Sequence, residues 1–313
     1  MTDMIEVTDH ADLAVRPIPG RRGQLERQRH LVAVGAAVAA VVATLAGWTP
    51  SSAAALTIVI IAVAVGLPHG ALDIVIGPRM TKPSLFFGSY LAGAALMMLV
   101  WLVAPLLGLV AFFAASWFHF ASGDAAHHRR LGDAGGLFGL STAGCALGFP
   151  LALHSSVLAP VLSDLLIGHG APDRHEVAAI GWIMAYPSLV AGVVATIAAV
   201  QLHRYSAVAE IAAIATLAVV VHPLVSFALY FALWHSPRHL IGLDIDIDRT
   251  SWALALGASA ATVISGAVVW GLIEPSAATA ARVVFIGLAA LTGPHLVVTE
   301  LLRTHRSNDQ RTT

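Results

Sequence analysis

The sequence predicts an all-α, polytopic transmembrane helix bundle of about ten spans with both termini cytoplasmic. Three observations carry that prediction. The chain of 313 residues is 58% hydrophobic and only 11% charged, with a mean hydropathy of +0.80, whereas a soluble domain carries about 25% charged residues. Apolar runs long enough to cross a bilayer, about 20 residues each, recur from residue 30 onward. The cationic residues between those runs fall almost entirely on one side, as cytoplasmic loops require.

Taken in order, the first 29 residues are polar and hold five arginines. They lack the short apolar core and cleavage site of a signal peptide. They are expected as a cytoplasmic tail, with the first span acting as an uncleaved insertion signal. Spans are expected at 30–48, 55–77, 84–104, 106–123, 134–153, 177–200, 206–221, 223–242, 252–273 and 278–301. Only Ala104, Pro105 and Leu106 separate the third from the fourth. Residues 154–175 read as a longer loop with a short interfacial helix over Val157–Ile167. Residues 30–303 form the bundle, and 304–313 a second cytoplasmic tail. With the N-terminus inside, only Arg174 and Arg282 of the 17 lysines and arginines fall outside. Arg282 lies near a helix end, where its side chain can snorkel to the interface.

The composition also excludes several functions. A net charge of -1 offers no basic surface for nucleic acid. Cys145 is the single cysteine and sits in an apolar run, as a core residue would. A disulfide framework and a cysteine metal site are both ruled out. No repeat and no low-complexity segment stands out.

Fifteen histidines are many for so apolar a chain. His10, His127, His128, His169, His175, His203 and His305 fall in loops or tails and read as solvated. Five others lie within expected helices, inside short polar signatures: GLPHGALD (His69, Asp73), SWFHFASGD (His119, Asp124), WHSPRH (His235, His239) and GPHLVVTE (His295, Glu300). All four helices run in the same direction, and each histidine falls in the later part of its helix. All five are therefore expected at one depth, in the cytoplasmic half of the membrane, as one cluster. Ionisable groups inside a bilayer are costly and mark function. A metal satisfies the acceptor nitrogens of several imidazoles at once, and the other ring nitrogens then need hydrogen-bond acceptors.

Asp73, Asp124 and Glu300 are the expected acceptors. Asp73 follows His69 by four residues, on the same helical face. Asp124 and Glu300 follow their histidines by five and better suit a neighbouring one. His235 and His239, four apart, point the same way. Pro237 has no N–H for residue 233, so a kink is expected there. Pro68 and Pro294 also precede motif histidines. Such broken backbone is tolerated where it lines a cavity. Arg238 either snorkels or pairs with a carboxylate.

All-imidazole sites suit zinc, iron, copper or nickel, and the residues leave that choice open, with a haem or a di-iron centre as further alternatives. HSPRH is similar to one histidine box of membrane desaturases and hydroxylases, and AHHRR faintly to another. His127 and His128, however, stand beside two arginines in an expected loop, and the three-box spacing is absent. Trp117, Phe118, Phe120, Phe227, Tyr230, Phe231 and Trp234 surround the motifs. They are read either as ordinary packing or as a channel for a long apolar substrate.

Together, the four motifs in order resemble the Brp/Blh family of membrane β-carotene 15,15′-dioxygenases, over about residues 66–300. The resemblance implies an iron(II)-dependent enzyme of the cell membrane. It would use O2 to split β-carotene at its central double bond into two molecules of all-trans retinal, the chromophore of microbial rhodopsins. Carried over by motif, the iron(II) ligands are His69, His119, His235 and His239. His295 is a further ligand or supporting group, and Asp73, Asp124 and Glu300 support the ligands or gate substrate. Two other readings stand beside this one: a carotenoid or lipid hydroxylase, and a proton or metal transporter. Transporters commonly carry inverted repeats, and the shared orientation of the motif helices counts against that class.

Overall fold

The structure is a computed structural model. It describes residues 50–128, 131–166, 168, 170–243 and 247–312, with side chains through Thr304, and seven earlier positions that include Gln28. The expected tail 1–29 and first span 30–48 lie outside the described residues except at those seven positions. His10, His169 and the side chain of His305 lie outside them as well.

All the regular structure among the described residues is helical. In chain order the helices are α1 (Ser52–Met80), α2 (Pro83–Val103), α3 (Pro105–His127), α4 (Ala134–Leu153), α5 (Ser155–Leu165), α6 (Arg174–Gln201), α7 (Tyr205–Val220), α8 (223–242), α9 (Arg249–Ile273) and α10 (Ala277–Thr312). Seven of them are long and apolar enough to cross a membrane: α1 to α4, α6, α9 and α10 through Thr304. The expected span 206–221 appears as α7, which is apolar but only 16 residues long. The stretch expected as a tail from residue 304 continues the helix of α10 to Thr312.

Local sequence explains where the helices begin and break. Ala104 leaves the helical region (φ −139°, ψ 72°) and Pro105 occupies the first turn of α3, so α2 and α3 are separate helices despite the single-residue joint. Asp173 caps α6, accepting from the N–H groups of His175 and Glu176, while the Glu176 side chain accepts from the Asp173 N–H. Those bonds, the one from Glu176 foremost, hold the exposed Asp173 carboxyl below its usual range. In α1, Pro68 has no N–H to offer Ala64. Leu67 and Leu72 keep right-handed helical dihedrals, so α1 runs on past the proline, and His69 stands in the turn that Pro68 opens.

α4 is the most buried of the candidate spans, whereas α2 and α9 are peripheral. Small residues let neighbouring helices close onto α4. A side chain at Gly148 would stand 2.9 Å from the backbone nitrogen of Ala185, so α6 packs against bare backbone there. α3 packs on α4 as well, α8 packs on α1, and α10 packs on α2 and α5. Large aliphatic side chains such as Leu91, Val103, Ile183, Ile264 and Leu272 point outward, giving the exterior the apolar character of a lipid-facing surface. Arg282, on α10, is held by a 2.6 Å bond from its Nε to the Asp164 carbonyl of α5.

Candidate metal centre

His69, His119, His235, His239 and His295 meet in one cluster. The ring of His69 lies 5.1 to 5.2 Å, centroid to centroid, from those of His235, His239 and His295. The ring of His119 lies 4.8 Å from His235 and 4.9 Å from His295, and His239 is 5.0 Å from His295. Two triads, His69–His119–His235 and His119–His239–His295, each present ligand atoms within 4.8 Å of one another. His119 belongs to both. Four of the five are buried and His239 is half-buried.

Local departures from regular helix accompany two of these histidines. In the turn that Pro68 opens, the His69 Nδ1–H donates to the Gly66 carbonyl at 2.5 Å. That carbonyl can only accept, so Nδ1 carries the proton and Nε2 keeps its lone pair. In α8 the turn Tyr230–His235 is a wide π-helical one between Pro223–Leu229 and Ser236–Gly242. The Ser236 N–H and hydroxyl both donate to the Phe231 carbonyl, the latter at 2.8 Å. Pro237 has no donor for the Leu233 carbonyl. The Gln28 side-chain amide donates to it instead at 3.0 Å, and to Trp234 O at 3.1 Å. The kink expected at Pro237 is thus a wide turn just before it, a common device at functional sites. Pro294, by contrast, lies inside the continuous α10. Gly66 lets α1 reach this turn, because any side chain there would run into the Phe231 ring and stand 2.8 Å from the Ser236 hydroxyl.

The carboxylates are distributed differently from the sequence expectation. Asp73 lies four residues after His69, but the His69 Nδ1–H goes back to the Gly66 carbonyl and the Asp73 carboxylate goes to His295. Its Oδ2 accepts from His295 Nδ1 at 2.8 Å and from the Tyr90 hydroxyl at 3.3 Å. Asp124 touches no ring of the cluster. It accepts from Thr142 at 2.6 Å, Tyr230 at 3.2 Å, Trp234 at 3.1 Å and Arg238 at 3.3 Å. Glu300 accepts from Ser122 at 3.3 Å and from Arg303 at 2.5 Å.

Arg238 is buried and does not snorkel. It pairs with Asp124 at 3.3 Å and Glu210 at 2.7 Å, donates through Nε to Gln28 at 3.2 Å, and lies 3.6 Å over the Trp234 ring. His128 is read from the sequence as solvated. It is instead buried, stacked on Phe138 at 3.6 Å and bonded to Glu210 at 2.9 Å. The physical reason is Glu210, a carboxylate inside the bundle that needs donors. Sequence patterning passes over Glu210, Gln28 and Thr142. A lone acid within the apolar run of α7 was the available signal for Glu210; Gln28 and Thr142 carry none.

A chamber of about 150 Å³ opens on the cluster, lined by His69, His119, His235 and His295 among others. Of the aromatics expected around a channel, Phe120, Phe227 and Phe231 line it. Phe118 is 54% exposed, and Tyr230 and Trp234 are buried against Asp124. Trp117 is not part of the wall. The hydroxyls of Ser259, Thr262 and Thr292 all return to the carbonyl four residues back on their own helices. Apart from the imidazoles, then, the chamber presents a largely hydrocarbon surface.

The donor set fits a metal ion. Both ring nitrogens of His119, and Nε2 of His295, are buried without a hydrogen-bond partner. Each such atom costs about 1–3 kcal/mol when left so, and coordination removes that cost for the acceptor nitrogens. His295, backed by a carboxylate on Nδ1 and bare on Nε2, has the arrangement usual for a metal-ligating imidazole.

Comparison with known proteins points the same way. A family model described as beta-carotene 15,15'-dioxygenase matches residues 60–303. A protein of an uncultured marine bacterium (66A03), named beta-carotene 15,15'-dioxygenase, is 26% identical over 275 residues, covering 78% of this chain and 92% of the relative. No solved structure matches the chain.

Proposed function

The chain belongs to the beta-carotene 15,15'-dioxygenase family, and from that premise we propose that it cleaves β-carotene at the central double bond. In this reading O2 is the oxidant and two molecules of all-trans retinal are the products. One observation carries it: five imidazoles converge, with unpartnered nitrogens on His119 and His295, and four of them (His69, His119, His235 and His295) line an apolar chamber.

In this reading His69, His119, His235, His239 and His295 hold one Fe(II). Zinc fits imidazole equally well but has no redox chemistry, and oxygenase chemistry needs it. Bound iron supplies the dioxygen chemistry that side chains cannot. The protein's own groups position and exclude. Gly66 O and Asp73 fix the tautomers and angles of His69 and His295. Phe120, Phe227 and Phe231 hold the polyene beside the rings. The bundle sits in the cell membrane, where β-carotene dissolves, and a microbial rhodopsin is the natural acceptor of the retinal.

The test is expression in a bacterium that makes β-carotene, with retinal measured in extracts. The expected result is retinal and loss of orange colour with the wild type, and neither with His119→Ala. Intact β-carotene despite membrane-inserted, iron-loaded protein would refute the reading.

A further inference from the structure

Beside the histidine chamber lies a larger cavity of about 330 Å³. Leu67, Thr262, Leu288 and Leu291 line both, so the two spaces adjoin along the same four side chains. From there the second cavity runs between α1, α9 and α10. Its wall extends from Thr262 to Trp270 on α9 and from Leu291 back to Ala280 on α10. At the rise of an α-helix these stretches measure about 12 and about 16 Å, roughly half the apolar thickness of a bilayer.

Its wall has little to offer a polar ligand. The only polar side-chain groups on it are one hydroxyl and one indole N–H, and both donor hydrogens are already used. Thr262 donates to Ala258 O at 2.9 Å, and Trp270 Nε1 donates to Ser276 O at 2.9 Å. A ligand with hydrogen-bonding groups would lose its water there without compensation. The occupant is therefore a hydrocarbon. The cavity also reaches the lipid-facing surface, since Ile60, Val263 and Trp270 on its wall are 37%, 40% and 39% exposed.

We infer that this cavity is a substrate subsite: it takes one ring-bearing arm of the carotenoid while the central double bond lies in the histidine chamber. The inference rests on the cleavage reading above and adds where the substrate lies. Continuity with the chamber, length and the spent polar groups select a polyene arm over any polar ligand. The open side faces the phase in which the substrate is dissolved.

Gly287 provides the test. It lines this cavity but not the histidine chamber, and a side chain there would meet nothing within 4 Å. Gly287→Phe fills the subsite without pressing on the metal centre. Ala267→Phe does so from α9 on the facing wall, in case the first variant does not fold. The iron-loaded proteins are compared for turnover of β-carotene, and for β-carotene bound without oxygen. The expected result is a fall in kcat/KM of about tenfold or more, weaker anaerobic binding and unchanged iron content. Wild-type kinetics and binding in a folded, iron-loaded filled variant would overturn the subsite and leave the cleavage reading standing. Co-purified phospholipid that β-carotene does not displace would overturn it too. A wild type that binds β-carotene, loses that binding on filling and yet makes no retinal would uphold the subsite and refute the cleavage reading.

Discussion

His119 and His295 are the residues whose environments make least sense without a metal, since both are buried with bare nitrogens. All five histidines were legible because polar residues inside apolar runs are costly and conspicuous. Their hydrogen-bond partners were not. Spacing in a helix assigns Asp73 to His69, but His69 Nδ1 is already taken by the Gly66 carbonyl and Asp73 serves His295, 222 residues further along the chain. Two predictions follow at this scale. Asp73→Asn, which keeps the shape but removes the charge behind His295, should weaken iron binding about 10- to 100-fold, read by competition with a chelator. Unchanged affinity would mean that the carboxylate does not support a ligand. His295→Ala should lose iron as fully as His69→Ala does; full retention of iron would remove it from the ligand set.

At the scale of the element, α8 explains why LYFALWHSPRH is aromatic, then basic. The aromatics and Arg238 do not all serve the substrate. Tyr230, Trp234 and Arg238 tie the wide turn to Asp124, and Arg238 reaches on to Glu210. That network holds the two histidines that flank it. Arg238 was legible as a carboxylate partner and Glu210 as a lone acid in the apolar run of α7, but Gln28 lies 210 residues away from Arg238 and no local pattern reveals it. Arg238→Met leaves two buried carboxylates without their cation and should destabilise the fold by about 3–5 kcal/mol, measured by denaturant unfolding in detergent. Arg238→Lys should rescue little, because one ammonium cannot reach both acids and lie over the Trp234 ring. Wild-type stability in Arg238→Met would show the network to be dispensable.

At the scale of the whole molecule, the bundle is legible because bilayer thickness dictates the length of an apolar run. Expected spans from residue 55 onward coincide with helices to within a few residues at most boundaries, and the interfacial helix expected over Val157–Ile167 appears as Ser155–Leu165. How the spans pack was not legible. Contacts such as Gly148 with α6 join distant stretches of chain through residues too small to give any hydropathy signal. The sidedness of the cations predicts that a reporter fused after Thr313 reads as cytoplasmic, and one placed in the Asp173 loop as external. The reverse result would invert the topology.

The most direct test of the central claim is metal analysis of the purified protein, wild type beside His119→Ala, with carotenoid cleavage assayed on the same samples. Stoichiometric iron and retinal formation in the wild type, and loss of both in a still-folded His119→Ala, are the predicted results. Full iron content in His119→Ala, or cleavage by protein that binds no metal, would contradict it.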